Sequence, residues 1–251
     1  MAARALRPLP PGEVHLDWVR APPKLDPALE RDYLALLNDA ERARHDRFHF
    51  ERTRHEFLVT RALVRTTLSR YADVEPAAWS FKANAWGRPE IDAPGAHARL
   101  GFNLTNTEGL VAIVVADARE VGCDVEDVNR RGETVAIANR FFSAREVEDL
   151  GRVPAAEQRA RFFDYWTLKE AYIKARGMGL AIPLGDFSFV IRRGAPIAIE
   201  FAPALEDDPS SWQFEQLRPT ERHVLSVAIR RRDEPDLRLV VREAFPLVRE
   251  A

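Results

Sequence analysis

The stretch from Ala155 to Arg176 constrains this chain more than any other. Read as a helix, it carries apolar residues on two opposite sides. Phe163, Trp166 and Ile173 share one side with Glu170 and Lys174, and Tyr165, Leu168 and Tyr172 take the other. Such a helix must be central, with material packed on both faces, so its charged residues need partners. Gly177 follows as a natural left-handed cap. The plain alternative is a Glu170–Lys174 pair on an exposed edge, worth about 0.2–0.5 kcal/mol. The aromatic surround speaks against it.

The rest of the chain supplies what such a helix packs on. Val14 to Val19 alternates as a strand. Pro27 to Leu37 reads as a helix capped by Asp26, with Pro27 at its first position. Ala40 to Tyr71 is helical in pattern, with Phe57, Val64, Leu68 and Tyr71 on one stripe. Short strands are expected between Trp79 and Ile91, about a turn at Trp86–Pro89. Leu100–Leu104 and Leu110–Ala116 read as strands separated by a loop at Thr105–Gly109, and Val121–Val128 as another strand. Helices fit Glu133–Arg140 and Ala144–Leu150. Antiparallel strands fit Phe187–Ile191, Ile197–Phe201, Trp212–Phe214, Val224–Ile229 and Leu237–Val241. The order strand, helices, strands thus occurs twice, and the halves meet near residue 118. The expected fold is mixed α/β (α+β), with helices packed on small, mainly antiparallel sheets. Its lobes would be 1–118 and 119–251. No sequence repeat is visible.

Composition narrows the function classes. In 251 residues, 37 Lys+Arg face 39 Asp+Glu, a formal net charge of −2. That balance argues against a chain-wide nucleic-acid binder. Only Lys24, Lys82, Lys169 and Lys174 are lysines; arginine supplies the other 33 cations. No apolar run approaches the 18 residues of a membrane span. The opening MAARALRPLPPGE lacks the apolar core of a secretory signal. With Cys123 the only cysteine, a reducing, cytoplasmic setting is expected.

The sharpest local pattern is Gly122-Cys123-Asp124-Val125-Glu126-Asp127. In a strand Asp124 and Glu126 point the same way, with Cys123 and Val125 opposite. Two carboxylates so placed repel, and a divalent cation bound with substrate phosphates would relieve them. Exposure at the edge of a turn is the bland reading, and both stand at this stage. Glu170 could complete the set. Between Arg42 and Arg70 lie eight arginines with His45, His49 and His55. Most suit a solvated helix face, though one or two could meet a phosphate. Ser143 and Glu146 fit a capping box, which accounts for that glutamate. Cys123 reads as a small buried hydrophobe.

Together these segments resemble the 4′-phosphopantetheinyl transferase superfamily, in its longer, Sfp-type form. Val121-Gly122-Cys123-Asp124-Val125-Glu126 matches the pattern (V/I)G-x-D-(V/I)E, and Trp166 to Lys174 matches W-x-x-KE-x-x-x-K. Phe141-Phe142-Ser143 with Glu146 resembles the FFS segment between them. Gly87-Arg88-Pro89 is similar to the GKP/GRP turn, and Phe102 to Thr107 to the FNLSHS loop. The resemblance runs from about residue 14 to residue 191.

It implies two similar α/β lobes forming a monomeric pseudo-two-fold dimer, with coenzyme A bound in the cleft between them. The implied enzyme is a holo-[acyl-carrier-protein] synthase. It would move the phosphopantetheine arm of coenzyme A to a serine of an apo acyl or peptidyl carrier protein, leaving 3′,5′-ADP, with neither nucleic acid nor membrane as partner. Carried over, Asp124, Glu126 and Glu170 would hold Mg²⁺. Glu170 would also serve as base, and Lys174 would bind the transferred phosphate. Arg88 would meet the nucleotide end, while Arg44, Thr105 and Asn106 would face phosphates of coenzyme A. Asn106 departs from the family's histidine, and an amide cannot carry charge. Weaker coenzyme A binding, or a donor from Arg54 or His55, would follow. Two other readings remain open: a Mg²⁺-dependent phosphate hydrolase, and a non-catalytic protein that grips carriers or nucleotides.

Overall fold

The computed structural model describes residues 6–92, 99–132, 134–231 and 237–247. Its elements begin with β1 (Glu13–Arg20), α1 (Pro27–Ala35), α2 (Asp39–Asp46) and α3 (Glu51–Leu68). Then come β2 (Phe81–Ala83), β3 (Pro89–Ile91), β4 (Leu100–Thr107), β5 (Leu110–Asp117) and β6 (Val121–Asp127). Three helices follow: α4 (Ala138–Phe141), α5 (Ala144–Arg152) and α6 (Ala155–Arg176). The chain closes with β7 (Phe187–Val190), β8 (Ala198–Phe201), β9 (Trp212–Thr220), β10 (His223–Arg230) and β11 (Arg238–Glu243). The α+β class expected from the sequence is the one found. The chain divides into two compact units, each with its own core.

The first unit holds the described residues up to Lys82, Pro89–Ala118 and those from Arg238 on. Its sheet runs β11-β1-β5-β4. Asp26 caps α1 by accepting from the Ala28 and Leu29 amides, with Pro27 in the first turn. The pattern from 40 to 71 is not one helix but two, broken over 47–50. The cause is the fully buried Arg65. Its guanidinium donates to the carbonyls of Pro76 and Trp79 and, at 2.7 Å, to Glu41 on α2. On a continuous rod Glu41 and Arg65 would be about 36 Å apart. Folding α2 back brings them together, and Glu41 also completes a capping box with Asn38.

Two further expectations are corrected here. Thr105, Asn106 and Thr107 are not loop: they continue β4 in register with β5, and the turn is only Glu108-Gly109. Gly109 takes φ +84° there, as a tight hairpin requires. The last strand is not antiparallel either. β11 pairs parallel with β1, Val14 opposite Leu239 and Leu16 opposite Val241. It covers the free edge of β1, so the end of the stretch 119–251 belongs with the first unit. Parallel neighbours need a long crossover, and here the whole second unit intervenes.

The second unit comprises Ala83–Arg88 and Arg119–Leu237. Its main sheet runs β6-β10-β9, all antiparallel, with β7 and β8 as a separate pair. α6 has the limits expected from sequence, closing at Gly177 with φ +66°. Phe162, Phe163, Leu168 and Tyr172 are fully buried around it. The helix expected over Glu133–Arg140 is a 3-10 turn, Val135–Ile137, leading into the short α4; Glu133 lies outside the described residues.

α6 packs directly on β6 at Gly122. A Cβ there would overlap the Ala171 carbonyl oxygen and the Ala175 backbone nitrogen, both main-chain atoms that cannot rotate away. Gly122→Ala should therefore destabilise the protein by about 1–3 kcal/mol. The check is a lower urea midpoint with an unchanged m-value.

Candidate active site

The contact at Gly122 decides what β6 shows to α6. With a two-residue strand period, Gly122, Asp124 and Glu126 share one face. Asp124 meets Lys174 of α6, Nζ to Oδ1 at 2.6 Å. Glu170 lies one turn before Lys174, on the same helical face. Lys174 keeps 30% of its side chain exposed, so the pair borders solvent.

The charges are strongly coupled. Burial, then the Asp124 charge, pushes the Glu170 carboxyl up to about 7, with Lys174 pulling the other way. Glu126 is also raised to about 7, by burial and then by Asp124; Arg130 and Lys174 oppose the rise and Glu170 adds to it. Burial alone would weaken the hold of Lys174 on its proton, but the Asp124 carboxylate reverses that and holds the ammonium above its ordinary value. Two carboxyls held above their ordinary range beside the Asp124 carboxylate suit a hard divalent cation, which removes their repulsion. By donor chemistry the set fits Mg²⁺. In this arrangement the resident partners are the protein's own cations, Lys174 on Asp124 and Arg130 on Glu126. Among the described residues, no three His, Cys, Asp or Glu side chains converge as a ready-made metal cluster.

The model of the 4′-phosphopantetheinyl transferase superfamily matches residues 120–228, a span that includes β6 and α6. The 4′-phosphopantetheinyl transferase HetI of Nostoc sp. is 34% identical over 217 residues, covering 86% of this chain and 87% of its own. The chain belongs to the 4′-phosphopantetheinyl transferase superfamily. The transferase Sfp of Bacillus subtilis is 31% identical over 67% of this chain and 72% of its own. A crystal structure of holo-[acyl-carrier-protein] synthase from Thermotoga maritima aligns with 44% of this chain and 62% of its own, at 21% identity and a TM-score of 0.36. That last likeness carries no argument.

The other expected site residues of this transferase are divided between the two units. Arg88 lies in the second unit, where its guanidinium donates to the carbonyls of Lys174 (2.8 Å), Ala175 (2.7 Å) and Val121 (3.2 Å). It caps the last turn of α6 and fixes it to β6. Asn84 helps by donating to the Gly177 carbonyl at 3.0 Å. Arg44, Thr105 and Asn106 all belong to the first unit. Arg44 is exposed on α2 with its guanidinium over the Phe57 ring, Thr105 is buried, and Asn106 is exposed on β4 opposite Val111. His55 is no substitute donor: it is buried, with Nδ1 on the Pro23 carbonyl at 2.8 Å.

One further side chain is sorted by helical angle. Lys169, next to Glu170, points away from the site and is fully buried. It donates to Glu146 (2.8 Å) and to the carbonyls of Leu184 and Phe187. Glu146 thus has more to do than its capping box, since it also accepts from the Phe189 amide at 2.8 Å. Arg130, whose Nη1 donates to both oxygens of Glu126, was not singled out in the sequence. Its only signal there is the spacing of four from Glu126.

Lys169→Met should cost about 3–5 kcal/mol by leaving Glu146 buried and unpaired. Adding Glu146→Gln should recover much of the loss in urea denaturation. Lys174→Met, at the solvent border, should cost far less. A pH test follows from Glu126 and Glu170. Each binds its proton more tightly when folded, near 7, than when unfolded, near the ordinary 4.5. Raising the pH from about 5 to about 7 therefore costs stability. In EDTA, the double variant Glu126→Gln/Glu170→Gln should gain on the wild type across that window, with the difference level above it.

Proposed function

We infer that this transferase moves the 4′-phosphopantetheine arm of coenzyme A onto a serine of an apo carrier protein, releasing 3′,5′-ADP. The observation that carries the reading is the juxtaposition of Asp124 and Glu126 on β6 with Glu170 and Lys174 on α6, joined by the Asp124–Lys174 pair. No helix among the described residues is long and apolar enough to cross a membrane. The single, buried Cys123 fits work in a reducing cytoplasm.

In this reading Asp124, Glu126 and Glu170 hold Mg²⁺, which when bound offsets the charge that develops on the pyrophosphate. The serine hydroxyl attacks the phosphorus that bears the pantetheine arm. A new P–O bond forms to serine, and the bond from that phosphorus to the bridging oxygen breaks. The electron pair leaves with 3′,5′-ADP. Glu170 takes the serine proton, directly or through a water. Lys174, kept cationic by Asp124, binds the transferred phosphate as a point charge. Arg88 acts by fixing the turn of α6 that carries Lys174. Arg44 and Asn106, both exposed, serve as donors to phosphates of coenzyme A, whereas Thr105 is buried on the other face of β4.

Incubation with coenzyme A, Mg²⁺ and an apo carrier should add one phosphopantetheine to the carrier, read by mass spectrometry. Glu170→Gln should lower kcat by about 10²–10⁴-fold while coenzyme A still binds. Lys174→Arg should lower turnover without changing the melting curve. Unmodified carriers throughout would overturn the reading, and breakdown of coenzyme A without carrier would indicate a hydrolase.

A further inference from the structure

Arg130 stands just past the end of β6, and one guanidinium nitrogen, Nη1, donates to both carboxylate oxygens of Glu126, at 2.9 and 3.1 Å. It is held there from behind. Arg159, in the second turn of α6, donates from Nε to the Val128 carbonyl at 2.6 Å and from Nη2 to the carbonyl of Arg130 itself. Its Nη1 reaches the Gly132 carbonyl at 3.3 Å and the Thr134 hydroxyl at 3.0 Å. The guanidinium groups of Arg130 and Arg159 both lie over the fully buried Phe163 ring, 5.3 and 5.4 Å from its centroid. The segment that carries Arg130 is thus clamped to the same helix that carries Glu170 and Lys174. The Arg130 side chain is nonetheless 40% exposed, so its guanidinium borders solvent into which it can swing.

We propose that Arg130 is a positioning residue, a built-in cation that occupies Glu126 and must release it before a divalent ion binds. The proposal rests on the reading of Asp124, Glu126 and Glu170 as the ion's ligands. A carboxylate whose two oxygens are both engaged by a guanidinium offers a dication little, and the positive charge repels it. A pyrophosphate group gives the guanidinium an alternative anion. Coenzyme A and the divalent ion should then bind with positive coupling, each strengthening the other by the same factor. Metal would load fully only with substrate present.

The test is Mn²⁺ binding to the whole protein, followed by the electron paramagnetic resonance signal of the free ion, with and without coenzyme A. Without coenzyme A, Arg130→Gln should bind Mn²⁺ on the order of tenfold more tightly than the wild type, as removal of a competing cation implies. Arg130→Lys, which keeps the charge on a more strongly hydrated ammonium, should fall between. Coenzyme A should tighten Mn²⁺ binding to the wild type far more than to Arg130→Gln. Melting in EDTA checks that the variants remain folded. Equal or weaker Mn²⁺ binding by Arg130→Gln would overturn the proposal. Binding by neither protein, with or without coenzyme A, would overturn the metal reading itself.

Discussion

Everything distinctive about the second unit depends on α6 lying against β6 with no room for a methyl group at Gly122. That approach lets a lysine on the helix reach an aspartate on the strand at 2.6 Å. It also presses Glu126 and Glu170 into one weakly solvated field, where their proton affinities rise together. A larger residue at 122 would part helix from strand and turn a coupled set of charges into separate surface groups. Packing and chemistry are here one constraint: the glycine is needed because the carboxylates must be close.

Each unit is also fixed by a buried cation on its long helix. In the first, Arg65 of α3 reaches the capping-box glutamate of α2 and the carbonyls that follow α3. In the second, Lys169 of α6 reaches the capping-box glutamate of α5 and the carbonyls that follow α6. Arg65 and Lys169 are each the fifteenth residue of their helix. Five residues further on, Arg70 and Lys174 each pair with a strand aspartate, Asp17 on β1 and Asp124 on β6. Where the second unit has Glu170, directly after the buried cation, the first has Thr66. The units therefore share a structural device, while the acidic set belongs to one of them.

Much of this was legible in the sequence, and the exceptions have a common cause. The limits of α6 follow from Pro154 and Gly177, local signals that act within a turn. Asp124, Glu126, Glu170 and Lys174 were legible from strand and helix periods together with family-like motifs. The break between α2 and α3 was not, because it exists to bring Glu41 to Arg65, 24 residues away. The partner of β11 was not, because alternation shows that a segment is a strand without saying which edge it will meet. Arg88 read as a ligand contact and is seen capping α6, since nothing local marks a guanidinium for distant carbonyls. Lys169 and Lys174 looked alike as rare lysines on one helix; five residues of rotation send one into the core and the other to the solvent border.

The parallel pairing of β11 with β1 bears on how the chain comes into being. β1 is made before the second unit, yet its neighbour on that edge emerges only after that unit is complete. Apart from the hairpin tip at 83–88, that second unit is an uninterrupted run of chain from Arg119 to Leu237. During synthesis it can gather its core while the earlier sheet still lacks an edge. The half that begins first is the half that finishes last.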